Sequence, residues 1–436
     1  MATFAPARLR WVMWGIPALI FLIAFFHRVA PGVIAKDLMQ DFHASGAIVG
    51  LLSSTYFYAY AGFMIPAGVL IDTFGPRWTV ATGAAIMGVG TMAMAMASTD
   101  GLLFTGRFAV GMGATVTFIG TLKITATWFP ISHFGTMSAL TATVGILGSL
   151  IGTYPLASLV AAAGWRGGFW LIGMGTVGLS VLCALAVRDR PRGSAEALLP
   201  LPTLSEVVVG MFDVLQNRHT WPPFLAFFCW YAGMGNLLLW VVPYLRDVYG
   251  LPTTGAAFYA TAISLALLVS GPLTGFLSDH VLKRRKLPYA VLTGCFLLLW
   301  ILFVATLGAL TLRGVYALFF AMGLVGGAFV LTWPIGREVN PPNLAGIAVA
   351  VVNLGGFLGA ALTQWPLGAV LDSHWAGQTL DGARVYPLAA YRVVFMLCAV
   401  AVLAALGFAL LLRETRGRNV HTELGPAIRS PRSPAA

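Results

Sequence analysis

Long apolar runs follow one another through nearly the whole chain, and short polar breaks separate them. A helix crossing the hydrocarbon core of a bilayer needs about 20 mostly apolar residues. Twelve windows meet that need: 12–35, 47–71, 78–98, 101–128, 135–162, 167–187, 222–245, 253–278, 288–310, 314–336, 343–370 and 389–412. The pattern predicts an all-α membrane protein with 12 transmembrane helices. An even number of crossings returns both termini to one face. The one sizeable polar break, 188–221, carries Pro191, Gly193, Pro200 and Pro202 and leaves six windows on each side. The expected organisation is a six-helix bundle over 1–187, a linker over 188–221, a second six-helix bundle over 222–412, and a disordered tail over 413–436.

The two halves repeat each other. Gly68-Val69-Leu70-Ile71-Asp72 and Gly275-Phe276-Leu277-Ser278-Asp279 both read Gly-x-Leu-x-Asp, 207 residues apart. Each closes an apolar run and opens a basic loop. Gly145-Ile146-Leu147-Gly148 with Pro155 matches Gly356-Phe357-Leu358-Gly359 with Pro366 at an offset of 211. Two patterns in one register imply a duplicated unit whose halves work against each other.

Composition agrees with a lipid solvent. The chain is 58% hydrophobic and 9% charged, where soluble domains carry roughly 25% charged residues. Its 50 glycines and 24 prolines suit helices whose neighbours satisfy freed backbone groups. The net charge of +11 does not point to nucleic acid, because the charges sit at the ends of apolar runs and not on one polar face. On the face of the termini the loops hold 17 Lys and Arg residues, against 6 in the opposite loops. That bias predicts that both termini face the cytoplasm, as expected of a chain in an inner (cytoplasmic) membrane. The first apolar run has no clear cleavage site and is read as a retained span. Cys183, Cys229, Cys295 and Cys398 all lie in apolar runs with no CxxC pair, so packing is their expected role. No Walker loop, catalytic Ser/His/Asp set or metal-ligand cluster stands out, so neither an enzyme nor a bound cofactor is expected.

Apart from Arg392 at the start of the last window, counted with the adjoining loop, three basic residues remain inside the windows: Arg28, Arg107 and Lys123. A basic group near mid-membrane costs about 2.5–3.5 kcal/mol on insertion scales. All 15 acidic residues fall in loops or at window ends. A buried cation without a resident acid should meet water or a mobile anion. The inference is a central cavity that attracts anions, with Arg28 as its clearest cation and Lys123 as the second. Arg takes carboxylate or phosphate through paired hydrogen bonds. Tyr56, Tyr60, Asn236, Trp240, Asn353 and Gln364 are further candidates for the lining. Gly68 is expected to let two helices approach closely, and Asp72 to sit near the positive N-terminal end of a helix from the other half. Such contacts would form a conformational latch.

The arrangement resembles the major facilitator superfamily over nearly the whole chain. That family's Gly-x-Leu-x-Asp-Arg-x-Gly-Arg-Arg loop is matched at Gly68, Asp72, Gly75 and Arg77, with departures at Thr73 and Pro76. The second copy keeps Gly275 and Asp279. Arg107, in Gly106-Arg107-Phe108-x-x-Gly111-x-Gly113, matches a family feature of the fourth span, where it braces helices. A narrower resemblance links Phe26-His27-Arg28-Val29 to the Asp-Arg motif of anion:cation symporters. Lys123, five residues before Trp128-Phe129-Pro130, matches their basic residue before Trp-Phe-Pro. This chain has His27 where those symporters carry an acid.

The resemblance implies a secondary or facilitative carrier of small organic anions working by alternating access, as a monomer. Two readings of His27 stay open: a proton-coupling group whose protonation is linked to anion binding, or a neutral packing residue. Two other functions are kept. The segments 27–32 and 338–342 resemble a bacterial permease subgroup with siderophore- and magnetosome-associated members, for which a ferric polycarboxylate would suit Arg28. A transport-inactive membrane sensor or assembly protein on the same scaffold is the alternative of another class.

Overall fold

The structure, a computed structural model, describes residues 7–130, 133–191 and 204–424. It is helical almost throughout. In the first half, α1 (Ala7–Val33) and the short α2 (Ala35–Phe42) precede α3 (Gly46–Met96), α4 (Asp100–Trp128), α5 (Phe134–Ile151) and α6 (Tyr154–Ala186). Helix α7 (Leu204–Gln216) leads to the second half: α8 (Trp221–Tyr249), α9 (Thr253–Phe276), α10 (Lys286–Ala305), α11 (Leu312–Val325), α12 (Thr332–Glu338), α13 (Ala345–Ser373) and α14 (Leu388–Leu411). A two-residue hairpin, β1 (Thr379–Leu380) and β2 (Ala383–Arg384), lies between α13 and α14.

Ten of these stretches are long and apolar enough to cross a membrane. Two contain a sharp break. Within α3, Gly75 has φ 79°, and within α6, Gly164 has φ 70°. Both values lie in the left-handed region that glycine alone enters freely. Dividing α3 and α6 at these glycines, and joining α5 to 154–163 and α11 to α12, gives one helical segment for each predicted window. Gly75 carries a second constraint. A side chain there would meet the Asp189 carboxylate, 2.8 Å from a Cβ.

Three segments fold that the sequence reading left unstructured. Helix α2 caps one face of the bundle. Helix α7 lies inside the expected linker and packs Val214 against Ala348 and Val351 of α13. Residues 413–424, expected as part of a disordered tail, are docked on the second half. Buried Thr415 donates to Glu338, the Val420 N–H reaches the Glu338 carbonyl at 2.8 Å, and Asn419 donates to the Asn340 carbonyl at 2.8 Å. The physical reason is Glu338 itself: a carboxylate only 2% exposed needs donors, and the tail supplies some of them with Arg285. The rest of the predicted tail, and 192–203 of the linker, lie outside the described residues.

The halves meet mainly through α3 with α13, α1 with α8, and α5 and α6 with α9. Their polar contacts gather on the face opposite the termini, the far face. Lys36 pairs with Asp247 at 2.6 Å, and each is only 4% exposed. Asp247 also accepts the Tyr391 hydroxyl (2.8 Å) and the Tyr386 N–H (3.1 Å). Asp372 accepts the Gly46 N–H at 2.9 Å and the Ala47 N–H at 2.8 Å, at the start of α3. Thr153 meets Thr261 at 3.0 Å. Backbones close up where glycine allows it: a Cβ on Gly32 would stand 2.6 Å from the Leu238 carbonyl, and Gly50 and Gly368 abut Gln364 and Gly46 across the seam. At the terminal face, the extended contacts of α4 are with α1, α3 and α5 and those of α12 with α8 and α13, all within their own halves. The polar contacts between the halves named here therefore close the far face.

Candidate functional site

Arg28 stands at the seam. It lies in the last quarter of α1, where successive turns alternate between the first half's core and the second half. Its guanidinium carbon is 3.8 Å from the Phe25 ring centre, 5.2 Å from Tyr60 and 4.9 Å from Phe357. Its Nε donates to the Tyr56 hydroxyl at 3.4 Å, and that hydroxyl donates to the Ala24 carbonyl at 3.1 Å. Tyr60 and Tyr231 also lie within interaction range of the guanidinium. The cage draws on α1 and α3 from one half and on α8 and α13 from the other. Among the described residues no carboxylate pairs with Arg28.

Magnitudes explain how an unpaired guanidinium survives there. Placing it near mid-membrane costs about 2.5–3.5 kcal/mol. A desolvated cation over an aromatic face gains about 2 kcal/mol. Phe25 alone offsets most of the cost, and Tyr60 and Phe357 bring the balance close to neutral. The rings lie over the guanidinium, its Nε goes to Tyr56 and the Tyr60 and Tyr231 hydroxyls lie beside it, so an incoming anion competes with neutral hydroxyls and not with a resident carboxylate.

The sequence candidates separate into groups. Tyr56 and Tyr60 join Arg28 as expected. Lys123 does not. It is 44% exposed at the terminal face and pairs with Asp72 at 2.6 Å. Its position near the end of α4, with a long flexible stem, lets the ammonium reach water. Asn353 accepts the Trp333 indole N–H at 2.9 Å within the second half. Asn236 donates to Thr363 at 2.8 Å and Gln364 to the Gly235 carbonyl at 3.4 Å, so both knit α8 to α13 and neither reaches the cage. Trp240 is fully buried in packing.

His27 turns away from Arg28, as adjacent residues on a helix must. Its Nε2 is 3.1 Å from the Thr91 hydroxyl, which itself donates to the Met87 carbonyl at 2.7 Å. Thr91 has one hydrogen, so His27 Nε2 is the donor of that pair. Phe169 packs on the ring. The packing alternative for His27 is the one this geometry supports.

The latch residues also need revision. Nothing lies within 4 Å of a Cβ built on Gly68 or Gly275, so neither marks a close helix approach. Asp72 pairs inside its own half and touches no helix end of the other. Arg77 anchors its own half. Its N–H reaches Asp189 at 2.7 Å and its Nε reaches the Ala184 carbonyl at 2.8 Å. The second half repeats this with different residues: the Arg285 N–H reaches Glu414 at 2.8 Å, and its guanidinium binds Asp279 and Glu338. In both halves an acid just past the sixth helix caps the third. Arg107 is wholly buried behind Tyr56, its guanidinium carbon 4.9 Å from that ring, and its guanidinium nitrogens have no hydrogen-bond partner among the described residues.

Phe25, Tyr231 and Phe357 were not singled out by sequence. Phe357 carried a usable signal, since it sits inside the repeated Gly356-Phe357-Leu358-Gly359. Gly355, Gly356 and Gly359 seat α13 on Phe224, Phe227 and Phe228 of α8, which turns Phe357 toward the other half.

Comparison with known proteins agrees with this architecture. The chain is 27% identical over 286 residues to a probable sulfoacetate transporter of Cupriavidus necator, covering 63% of this chain and 66% of that protein. It is 24% identical over 419 residues to a probable galactarate/D-glucarate transporter of Bacillus subtilis, covering 86% and 88%. Among solved structures, a bacterial homologue of the human lysosomal transporter Spinster, in an inward-facing and unoccupied conformation, superposes with a TM-score of 0.76 at 16% identity, covering 93% of this chain and 97% of that one. These relatives and neighbours are transporters and not enzymes. The profile of the Major Facilitator Superfamily matches residues 18–364, and the chain belongs to that family of multi-pass membrane transporters.

Proposed function

We propose that this transporter carries small organic anions by alternating access, with Arg28 as the cation that binds the passenger's carboxylate, sulfonate or phosphate. One observation carries the reading. A partly buried guanidinium lies at the seam of the two halves, among the described residues without a carboxylate. Its N–H groups suit a two-oxygen anion, which competes there only with neutral tyrosine hydroxyls, and two helices from each half surround it. Both named relatives are described as carrying such anions, sulfoacetate in one and galactarate or D-glucarate in the other. With the loop charge bias, the terminal face is cytoplasmic and the closed far face is the outer one.

The test is ligand stabilisation of the purified protein. The panel holds sulfoacetate, D-glucarate, galactarate, sugar phosphates, ferric citrate, and matched neutral and cationic solutes. At least one organic anion should raise the unfolding temperature, and Arg28→Gln should abolish that rise while folding normally. Stabilisation by neutral or cationic solutes alone, or a rise that survives Arg28→Gln, removes the assignment. A response confined to ferric citrate would move the protein to iron handling.

A further inference from the structure

We propose that Phe357 is a positioning residue that lets this carrier change faces without a passenger, so that the protein drives net flux and is not restricted to exchange. The inference rests on the reading of Arg28 as the anion-binding cation. A carrier with one central site must pass through a state in which both faces are shut. When an anion is bound, the charge on Arg28 is neutralised in that state. When none is bound, an unpaired guanidinium must be enclosed, and a buried unpaired charge is strongly disfavoured. A site with no substitute for the anion can therefore turn only when loaded, which restricts it to one-for-one exchange.

Here the substitute is built in. Phe25 at 3.8 Å, Phe357 at 4.9 Å and Tyr60 at 5.2 Å present ring faces to the guanidinium. Those faces carry the negative side of the aromatic quadrupole. The rings lie over the guanidinium and the Tyr56 hydroxyl takes Nε, whereas an anion takes the remaining N–H groups, so loading and unloading leave the rings in place. Phe25 and Tyr60 belong to the same half as Arg28 and travel with it. Phe357 comes from the other half and meets Tyr60 at 4.4 Å between ring centres. It is the ring that closes the second side of the empty site. Packing alone would need only its volume. Screening of Arg28 needs its π face.

The full chain is reconstituted in proteoliposomes with radiolabelled D-glucarate and sulfoacetate as probes. Uptake into empty vesicles reads net flux, and uptake into preloaded vesicles reads exchange. The wild type should show both at rates within a few-fold. Phe357→Leu keeps the volume and removes the π face; it should lose tenfold or more in net flux with exchange within about twofold. Phe357→Tyr should keep both. Equal loss of the two modes in Phe357→Leu, equal behaviour of Leu and Tyr, or a wild type that only exchanges overturns the inference.

A readout free of any passenger stands beside it. Spin labels on cysteines at Ala162, an exposed position beside the Gly164 break of α6, and Ala309, an exposed turn position of the second half, are introduced after replacing Cys183, Cys229, Cys295 and Cys398. Anion-free wild type should give two distance populations by pulsed EPR, and Phe357→Leu one. A single population in the anion-free wild type overturns the inference whether or not either probe is transported. Failure of the underlying reading looks different, because Arg28→Gln would then bind the probes as wild type does, whatever the Phe357 variants show.

Discussion

Asp372→Asn should open the far face. Asp372 lies near the end of α13 and its carboxylate receives the first two N–H groups of α3, from the other half, at 2.9 and 2.8 Å. Its remaining partners, the Tyr386 hydroxyl at 2.6 Å and Arg384 Nη1 at 3.0 Å, belong to the second half and stay with it when the halves part. Of the Asp372 contacts, those to the start of α3 distinguish the conformations. Hydrogen bonds to a charged group contribute about 1.5–3 kcal/mol and neutral ones about 0.5–1.5, so the bond that the Asn oxygen keeps weakens by about 1 kcal/mol, and the other, where the amide NH2 faces an N–H, loses about 2 kcal/mol. The attraction of an anion to a helix N-terminus is carried by these same two N–H groups. The sum, about 3 kcal/mol, is roughly a 100-fold change in the equilibrium. A far-closed preference of about 10:1 would invert to about 1:10. Pulsed EPR between labels at positions 162 and 309 reads this directly: the longer distance should grow from a minor to the major component. An unchanged distribution, with Asp372→Asn folded and stable, would refute the reasoning.

Three further outcomes follow from the same geometry. Gly50→Val should hold the far face open and abolish transport, because its side chain would overlap the Gln364 carbonyl across the seam; the labels above would report a single long distance. Lys123→Ala should change anion affinity less than about fivefold, since an exposed ion pair contributes at most about 1 kcal/mol and Lys123 pairs with Asp72 and not with the cage; titration of the probes checks this. Acidification should favour the far-closed form. Burial holds the Asp37 carboxyl above its ordinary value, with Arg246 opposing, so the closed form retains a proton at pH values where a hydrated Asp37 has lost it. The closed population should therefore fall as pH rises from the ordinary carboxylate range through the raised value. Asp37→Asn should remove that dependence.

The fold was legible because lipid leaves few choices. All twelve apolar windows correspond to helical segments, with ends displaced by only a few residues. The kink at Gly75 stands in a motif that the half-repeat had already marked. The site was half legible. Arg28 could be found from sequence, since a cation in an apolar run with no acid in reach is a local fact. Its aromatic partners could not, because Phe25, Tyr231 and Phe357 are three among many aromatic residues and only the packing of α1, α3, α8 and α13 brings them together. Lys123 misled for a related reason. Sequence gives its depth along the helix but not the reach of its stem to Asp72. The docked segment 413–424 was obscured by composition: its residues are polar, and the burial of Glu338 beneath them is a tertiary fact.

The latch leads to the last prediction. The repeat suggested that an acid from one half meets a helix N-terminus of the other at the terminal face. The structure shows such a contact at the far face, through Asp372 and α3, while Asp72 pairs with Lys123 in a partly exposed setting at the terminal face. A carrier must keep its two end states within a few kcal/mol, or one of them becomes inaccessible. A contact worth about 3 kcal/mol in the far-closed state therefore needs a counterpart in the far-open state, and Asp72 is the acid placed to make it when the terminal face shuts. Its exposed pairing with Lys123 contributes little here, so it can be given up. On this reasoning Asp72→Asn destabilises only the far-open state and moves the label distances toward closure, opposite to Asp372→Asn. The double variant should return close to the wild-type distribution, because each change removes the counterweight of the other. If Asp72→Asn leaves the distances of the Asp372→Asn background unaltered, the two acids are not opposing latches and Asp72 is an ordinary charged helix end.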